Sequence, residues 1–326
     1  MVVVLRGHEG VAQAAQLLRQ GECVALPTET VYGLAADATN DAAVEKIFHA
    51  KGRPKNHPMI VHIPSADYLE EWAIAVPSAA RRLAAACWPG PLTLLLKKSP
   101  KTSLTVTGGL QSVALRVPSH PLFLDVLQQI ATGLAAPSAN RYTQLSPTTA
   151  EQVIKSLQGY ISAVLDGGPC EFGLESTIVD FTQATPQILR AGPLSRGQLE
   201  ELLGQAIDMP AEHETAVPGN VRAHYQPRTA LRVLAAEDLT GSKIVSSTSG
   251  FVIHSDAAAI SLAATGVADK VICHLPAAAR DYGKALYSAL HYLDQLGLKT
   301  LFIEQPPVDD NWAAVNDRLK RAVGQS

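Results

Sequence analysis

The stretch VALPTETVYGLAADATNDAAVEKIFHAKGRP, residues 24–54, carries the clearest structural signals of this chain. Its apolar start predicts a strand over Glu22 to Leu26 that ends at Pro27, because proline cannot donate to a strand ladder. A polar loop follows, and apolar residues at helical spacing then predict a helix over Asp41 to Lys51. A strand, a loop and a helix in this order indicate a domain of the α/β class.

The end of the predicted helix carries two cations, Lys51 and Arg53, on either side of Gly52. Glycine is a common helix terminator, and Pro54 then holds the chain in an extended path. Two cations held by a helix end, a glycine and a proline form a stiff corner that suits an anion. The alternative is that both cations satisfy the carbonyls at the helix C-terminus, and their spacing alone does not separate the two interpretations.

Around this stretch, short apolar runs alternate irregularly with amphipathic segments, which predicts a twisted mixed sheet flanked by helices. The further predicted strands are Met59 to Ile63, Leu92 to Leu96, Val113 to Val117, Leu134 to Ala136, Ile161 to Leu165, Thr177 to Phe181 and Gln187 to Leu189. The further predicted helices are Val11 to Gln20, Ser78 to Cys87, Pro121 to Ile130, Thr148 to Leu157 and Ser195 to Gly204.

The pattern changes near residue 206, where a polar stretch with three prolines has no clear period. We predict a domain over residues 1–205, a linker over 206–229 and a smaller α/β domain over 230–326. In the last, LRVL, FVIH, KVICHL and KTLFIE are typical of strands, whereas Tyr282 to Gln295 and Trp312 to Ala322 are typical of helices.

The composition excludes several classes of protein. Of the 326 residues, 47% are hydrophobic, and the net charge is -3. A protein that binds nucleic acid through its backbone normally carries a net positive charge, so this composition does not predict a permanent nucleic-acid partner. The four cysteines stand far apart, without the spacing of a zinc site, and are interpreted as buried reduced thiols. The first apolar run is too short for a signal peptide or a membrane span, so we expect a cytoplasmic protein without membrane contact.

The sequence carries neither a P-loop nor a dinucleotide fingerprint. Arg116 and Arg190 end predicted strands, where a buried arginine needs an anion or solvent. His62, inside a strand, is more typical of a core histidine, and the many loop hydroxyls suit either a phosphate or ordinary turns. With no nucleophile–base pair evident, these groups favour chemistry driven by positioning and charge neutralisation.

The motifs PTETVYGL, KGRP, PMIVHI, WPGPLTLLL, SVALRVP, APSAN, SPT, DGG and GLESTI occur in that order from about residue 21 to 193. Together they resemble the YrdC-like L-threonylcarbamoyladenylate synthases. HYQP at 224–227 and AVNDRL at 314–319 resemble the long form of that family. The resemblance implies a YrdC-like twisted mixed sheet flanked by helices, followed by a smaller Rossmann-like α/β domain.

The resemblance also implies a reaction. L-threonine and bicarbonate would form an N-carboxy-threonine, which attacks the α-phosphorus of ATP to give threonylcarbamoyl-AMP and pyrophosphate. Mg²⁺ would accompany the ATP, held mainly by phosphates. Downstream proteins would transfer the threonylcarbamoyl group to tRNA, so that tRNA is an indirect partner.

Site residues follow from the same resemblance, motif by motif. The set associated with catalysis and ATP is Lys51, Arg53, Ser138 and Asn140. The set implied for L-threonine is Thr30, His62, Arg116, Ala136 and Ser176, with Arg116 pairing with a carboxylate. Further ATP contacts fall on His57, Ser112, Ser146, Arg190 and Tyr225. His57 stands where the family commonly has Asn, and Tyr225 is implied to reach over the nucleotide from the linker.

Two alternatives stay open. One is an RNA-binding module of the same fold without catalysis, against which the acidic net charge argues. The other is a related enzyme that acts on carbamoyl-phosphate, although the acylphosphatase-like and zinc-finger-like segments of that family are absent from this sequence.

Overall fold

A computed structural model describes residues 2–210, 213, 215–219, 224–241 and 244–323. The chain divides into two compact units. The first comprises Met1–Tyr142, Ser146–Glu171 and Glu175–Asn220, and the second comprises Thr143–Leu145, Phe172–Leu174 and Val221–Ser326. The predicted linker therefore spans the point where the chain passes from one unit to the other.

The first unit is built on a twisted mixed sheet, as predicted. The described strands are β1 (Val3–Leu5), β2 (Val24–Leu26), β3 (Gly33–Asp37), β4 (Ile60–His62), β5 (Leu92–Lys97), β6 (Ser112–Arg116), β7 (Leu134–Ala135), β8 (Ala163–Leu165), β9 (Thr177–Asp180) and β10 (Gln187–Arg190). They join in the order β1-β8-β2-β3-β7-β4-β6-β5-β9-β10. Pairs such as β4–β6 and β5–β9 are parallel, whereas β2–β3, β5–β6 and β9–β10 are antiparallel.

Helices cover both faces of this sheet. The helices of the unit are α1 (Gly7–Arg19), α2 (Asp41–Lys51), α3 (Leu69–Trp72), α4 (Ser78–Cys87), α5 (Pro121–Ile130), α6 (Ala150–Leu157) and α7 (Arg196–Leu203). Alternation along β2 places Ala25 in one core cluster with α2 and Leu26 in another with α1 and α5. Because both faces are covered, the strands are buried and functional groups lie at strand ends and in loops.

Helix α2 shows why the decisive stretch folds as it does. The Asn40 side chain accepts a hydrogen bond from the amide of Ala43 and so caps the helix start. Val44 and Ile47 are buried against the sheet, and Gly52 ends the helix in the left-handed region at φ 63°. The helix therefore begins and ends where the sequence predicts, and it delivers Lys51 to the interior.

Strand β3 was not predicted. Residues 33–37 read GLAAD, without the β-branched and aromatic residues that mark strands. The strand is stabilised by its neighbours, since β3 pairs with β2 on one side and with β7 on the other. The polar loop after β2 is consequently short, and it lies between two paired strands.

The second unit contains a smaller parallel sheet in the order β11-β14-β12-β13, as expected for a Rossmann-like domain. Its strands are β11 (Ala230–Leu234), β12 (Ser249–Ile253), β13 (Ile272–His274) and β14 (Thr300–Glu304). Its helices are α8 (Asp256–Ala263), α9 (Ala279–Asp294) and α10 (Ala313–Val323), of which α8 was not predicted. Within the described residues, no helix has the length and apolar character that a membrane crossing requires.

Candidate functional site

The loop between β2 and β3 is held by its own threonines and by a second loop. The Thr28 hydroxyl accepts hydrogen bonds from the amides of Thr30 (3.0 Å) and Val31 (3.1 Å), which fixes a tight turn. The Tyr32 amide donates to the carbonyl of Pro147, and the Tyr32 carbonyl accepts from the amide of Ala139. Backbone hydrogen bonds therefore join Tyr32 to Ala139 and Pro147, which lie on the loop segments that follow β7 and precede α6.

Lys51 is the residue that anchors the second loop. Its side chain is buried, and Nζ donates to the carbonyls of Ser138 (2.5 Å) and Asn140 (2.7 Å). Burial lowers the pKa of Lys51 well below its ordinary value, and the nearby charges of Arg53 and Arg141 lower it further. The structure thus brings the predicted set of Lys51, Ser138 and Asn140 together through direct contacts.

The alternative interpretation, in which Lys51 satisfies carbonyls of its own helix, is wrong. In the described hydrogen bonds, the ammonium group of Lys51 donates to carbonyls outside the helix. The helix C-terminus is closed by the backbone, since the Gly52 amide donates to the carbonyl of His49. The ammonium group instead reaches a loop almost ninety positions further along the chain.

Arg53 and His57 continue the basic corner. Arg53 is buried, and its Nη2 donates to the carbonyl of Pro58 at 2.7 Å. Burial and the charge of Arg53 lower the pKa of His57, which favours a neutral imidazole. The Tyr142 hydroxyl lies 3.3 Å from Nδ1 of His57, and the two rings meet edge to face. The corner therefore presents an arginine, a neutral histidine and a phenol.

Arg116 lies at the end of β6 and makes three described contacts. Nη1 donates to the Thr30 hydroxyl at 3.0 Å, and Nε donates to the carbonyl of Gly90 at 3.2 Å. Nη2 lies 2.7 Å from Oε1 of Glu29, and both side chains are about 3–4% exposed. A strand-end arginine was expected to reach either solvent or an anion, and here it meets an anion, a carboxylate of the chain itself.

His62 lies beside Arg116, because the two residues are register partners of β4 and β6. Burial lowers the pKa of His62 well below its ordinary value, and the charge of Arg116 acts in the same direction. The ring stacks on Phe123 at a centroid distance of 5.1 Å. Ala136 lies one strand away, and its amide donates to the carbonyl of Ile60. His62 is therefore a buried neutral imidazole next to a guanidinium.

Ser176 and Arg190 contact each other, which joins the predicted threonine set to the predicted ATP set. Arg190 donates from Nη2 to the Ser176 hydroxyl (2.9 Å) and from Nε to the Ser176 carbonyl (3.0 Å). Its Nη1 donates to the carbonyl of Pro218 at 2.9 Å. The Ser176 hydroxyl also lies 2.7 Å from the hydroxyl of Thr93 on β5.

The remaining predicted residues lie apart from these contacts. Ser146 donates to Oε1 of Glu175 at 2.6 Å, and both side chains are buried. Ser112 begins β6, roughly 13 Å along the strand from Arg116. Tyr225 is buried in the second unit, where it stacks on Tyr287 and lies 5.1 Å below the guanidinium of Arg318. The role of Tyr225 in ATP binding stays a prediction.

Four side chains at these positions had no role predicted from the sequence, namely Glu29, Thr93, Tyr142 and Glu175. Glu29 belongs to a loop that was noted for its polarity, and the need of Arg116 for an anion was the signal that pointed to it. Thr93, Tyr142 and Glu175 left no such signal, because each acts through a contact with a residue distant in sequence.

The site is rich in cations, hydroxyls and backbone groups. Within the described part of the chain, no group of three or more His, Cys, Asp or Glu side chains has a metal-binding arrangement. Cations and hydroxyls are the partners that phosphate oxygens take, and a buried arginine suits a carboxylate. The arrangement therefore fits a phosphate-bearing ligand at the Lys51–Arg53 corner and a small acid at Arg116.

Comparison with known proteins agrees with this chemistry. The Sua5/YciO/YrdC family profile, described as "Telomere recombination", matches residues 16–192. The profile described as "Threonylcarbamoyl-AMP synthase, C-terminal domain" matches residues 194–324. A threonylcarbamoyl-AMP synthase of Pyrococcus abyssi is 35% identical over 335 residues, which cover 99% of this chain and 98% of that protein.

Two further relatives extend the comparison. A threonylcarbamoyl-AMP synthase of Bacillus subtilis is 43% identical over 228 residues, covering 68% of this chain and 66% of that protein. The crystal structure of P. abyssi Sua5 complexed with L-threonine superposes with a TM-score of 0.89 at 32% identity. That superposition covers 99% of this chain and 97% of the other.

Proposed function

The chain belongs to the Sua5/YciO/YrdC family, in the form that carries the C-terminal domain of threonylcarbamoyl-AMP synthases, and we propose how it acts as such a synthase. It joins L-threonine, bicarbonate and ATP into threonylcarbamoyl-AMP and pyrophosphate, which makes it a nucleotidyltransferase. The observation that carries this proposal is the Lys51–Arg53 corner, which is built on the loop of Ser138 and Asn140.

The reaction has two bond-forming steps. The amine of threonine attacks the carbon of bicarbonate, an N–C bond forms, and water leaves. An oxygen of the resulting carbamate then attacks the α-phosphorus of ATP, and the bond to pyrophosphate breaks. Neither step needs a protein nucleophile, so the protein contributes positioning and charge neutralisation.

The nucleotide half of the site uses the basic corner. Mg²⁺ would accompany ATP, held mainly by the phosphates, and would neutralise part of their charge. Arg53 neutralises charge that develops on the phosphates, while Lys51 keeps the Ser138–Asn140 loop in place to hydrogen-bond the nucleotide. Ser112, Ser146, Arg190, His57 and Tyr225 are the further proposed ATP contacts.

The amino-acid half uses Arg116 for the α-carboxylate of threonine. Thr30 and Ser176 supply hydroxyls, and neutral His62 offers a ring nitrogen without adding charge beside the guanidinium. The Arg190–Ser176 contact links this half to the nucleotide half, so that one rigid element positions both substrates. The product then passes to proteins that transfer the threonylcarbamoyl group to tRNA.

The decisive experiment measures pyrophosphate release with all three substrates and with each omitted in turn. We expect release to require both L-threonine and bicarbonate, and the product to be threonylcarbamoyl-AMP. Arg53→Ala should lower the rate by about 10²-fold or more, since it removes a cation from the transition state. Equal ATP hydrolysis without threonine would refute the proposal, and salt-sensitive RNA binding without an adenylate product would support the non-catalytic alternative.

A further inference from the structure

Glu29 is a buried carboxylate to which the proposed reaction has so far given no role. Its side chain is 3% exposed, and Oε1 lies 2.7 Å from Nη2 of Arg116. Oε2 is also buried, and no described residue donates a hydrogen bond to it. Buried carboxylate oxygens normally have partners, so an unused acceptor beside a ligand-binding arginine indicates a place for a ligand donor.

The charges around Glu29 define which ligand fits. Burial lowers the pKa of His120, which favours its neutral form. Burial also raises the pKa of the Cys170 thiol to about 12, and the negative charge of Glu29 acts in the same direction. Among the described neighbours, Arg116 is therefore the cation that balances Glu29, and the pair is neutral as a whole.

A ligand that brings only a carboxylate would meet repulsion at this pair. Its carboxylate would compete with Glu29 for the guanidinium of Arg116 and would add a second negative charge in a buried place. A zwitterion avoids this conflict, because its cationic group pairs with Glu29 while its carboxylate pairs with Arg116. The pair is thus matched to the two adjacent charges of an α-amino acid.

We propose that Glu29 binds the α-ammonium group of the amino-acid substrate while Arg116 binds its α-carboxylate. The inference rests on the proposed function, which places the carboxylate of threonine on Arg116. It adds a specificity-determining residue, since Glu29 makes the site select a free α-amino group. The reaction needs that group, because its nitrogen forms the new N–C bond once the ammonium group has released a proton to solvent and become an amine.

The test compares two ligands in two proteins. The full-length chain and its Glu29→Gln variant are titrated by calorimetry with L-threonine and with its 2-hydroxy analogue of the same configuration, in which a hydroxyl replaces the ammonium group. The wild type should bind threonine about 10- to 100-fold more tightly than the analogue, as a charge-assisted hydrogen bond predicts. The variant should lose most of this preference.

The direction of each change separates a binding role from a structural one. Glu29→Gln should weaken threonine binding by about 10- to 100-fold and leave the analogue unchanged or tighter, because Arg116 loses its competing carboxylate. Equal weakening of both ligands would mean that Glu29 only supports Arg116, and the inference would be wrong. Asp180→Asn is the matched control, since Asp180 is a buried carboxylate at the end of β9 in the same unit, and it should change neither affinity.

Two outcomes remain informative if the variant does not fold. A wild type that binds both ligands equally well would overturn the role of Glu29 without any variant. A wild type that binds neither ligand, with or without ATP, would instead remove the proposed function itself.

If the variant does fold, threonine binding that is retained with an undiminished preference in Glu29→Gln would also overturn this inference, while leaving the synthase proposal intact.

Discussion

Replacing Lys51 by methionine tests whether this lysine shapes the site by holding a loop. Methionine keeps most of the apolar length of the side chain but cannot donate hydrogen bonds. The change leaves the carbonyls of Ser138 and Asn140 without the donor that now lies 2.5 and 2.7 Å away. Both carbonyls belong to the loop that we propose contacts ATP.

The magnitude follows from these two contacts. A buried acceptor that loses its donor costs about 1–3 kcal/mol, so two carbonyls would cost about 2–6 kcal/mol. The variant also removes a buried charge whose burial is itself unfavourable, and this offsets part of the loss. We therefore expect the free energy of unfolding to fall by about 1–3 kcal/mol.

The pKa of Lys51 supplies a second readout. The pKa of Lys51 in the folded chain lies well below 10.5. At pH values between that lowered pKa and 10.5, Lys51 is protonated in the unfolded chain but not in the folded chain. Wild-type stability should therefore increase with pH relative to Lys51→Met across that alkaline range, until the unfolded lysine also loses its proton.

Urea unfolding and pyrophosphate release measure the two consequences. Release should fall by about 10²-fold, because the loop that we propose positions the nucleotide loses its anchor. Lys46→Met is the control, since Lys46 lies on the same helix but is exposed and pairs with Glu22 at the surface. It should change stability by less than about 1 kcal/mol. Wild-type stability and activity in Lys51→Met would refute the anchoring role.

Three further predictions concern other parts of the first unit. First, the pKa of His62 in the folded chain lies well below 6.5, so this histidine gains a proton in the unfolded chain before it does so in the folded chain as the pH falls. The free energy of unfolding should therefore drop by up to about 1.4 kcal/mol per pH unit below pH 6.5. His62→Gln should flatten that decline in unfolding measurements between about pH 7 and 5. Gly192→Ala should destabilise by about 2 kcal/mol or more, because its Cβ would lie 2.3 Å from a backbone nitrogen of β9. Gly197→Ala, whose Cβ meets nothing within 4 Å, should be neutral or slightly stabilising in thermal unfolding. Glu175→Gln weakens the hydrogen bond that orients Ser146, and it should raise the KM for ATP several-fold with kcat retained, whereas an unchanged KM would contradict this orienting role.

Much of the fold was predictable because it depends on local signals. Helices α2, α4 and α5 begin and end at the predicted residues, where caps, glycine or proline mark the boundaries. Strand β3 was missed, because its alanines are stabilised by two neighbouring strands and not by their own propensity. Helix α8 was missed in the same way, since its short alanine-rich run has almost no amphipathic pattern.

The same distinction between local signals and long-range contacts applies to the candidate site. The corner of Lys51, Gly52 and Arg53 could be predicted from the sequence alone, because helix termination and charge spacing are local properties. The sequence also indicated that Arg116 would need either solvent or an anion, because a buried unpaired charge is unfavourable whatever the fold.

The groups that those cations meet depend on the tertiary structure. Lys51 contacts two carbonyls of a distant loop, and Arg116 contacts Glu29. These segments are far apart in sequence, and they come together because β3 pairs with β7, β7 with β4 and β4 with β6. A local sequence pattern indicates what kind of partner a residue needs, but only strand pairing over long sequence distances places a given partner within reach.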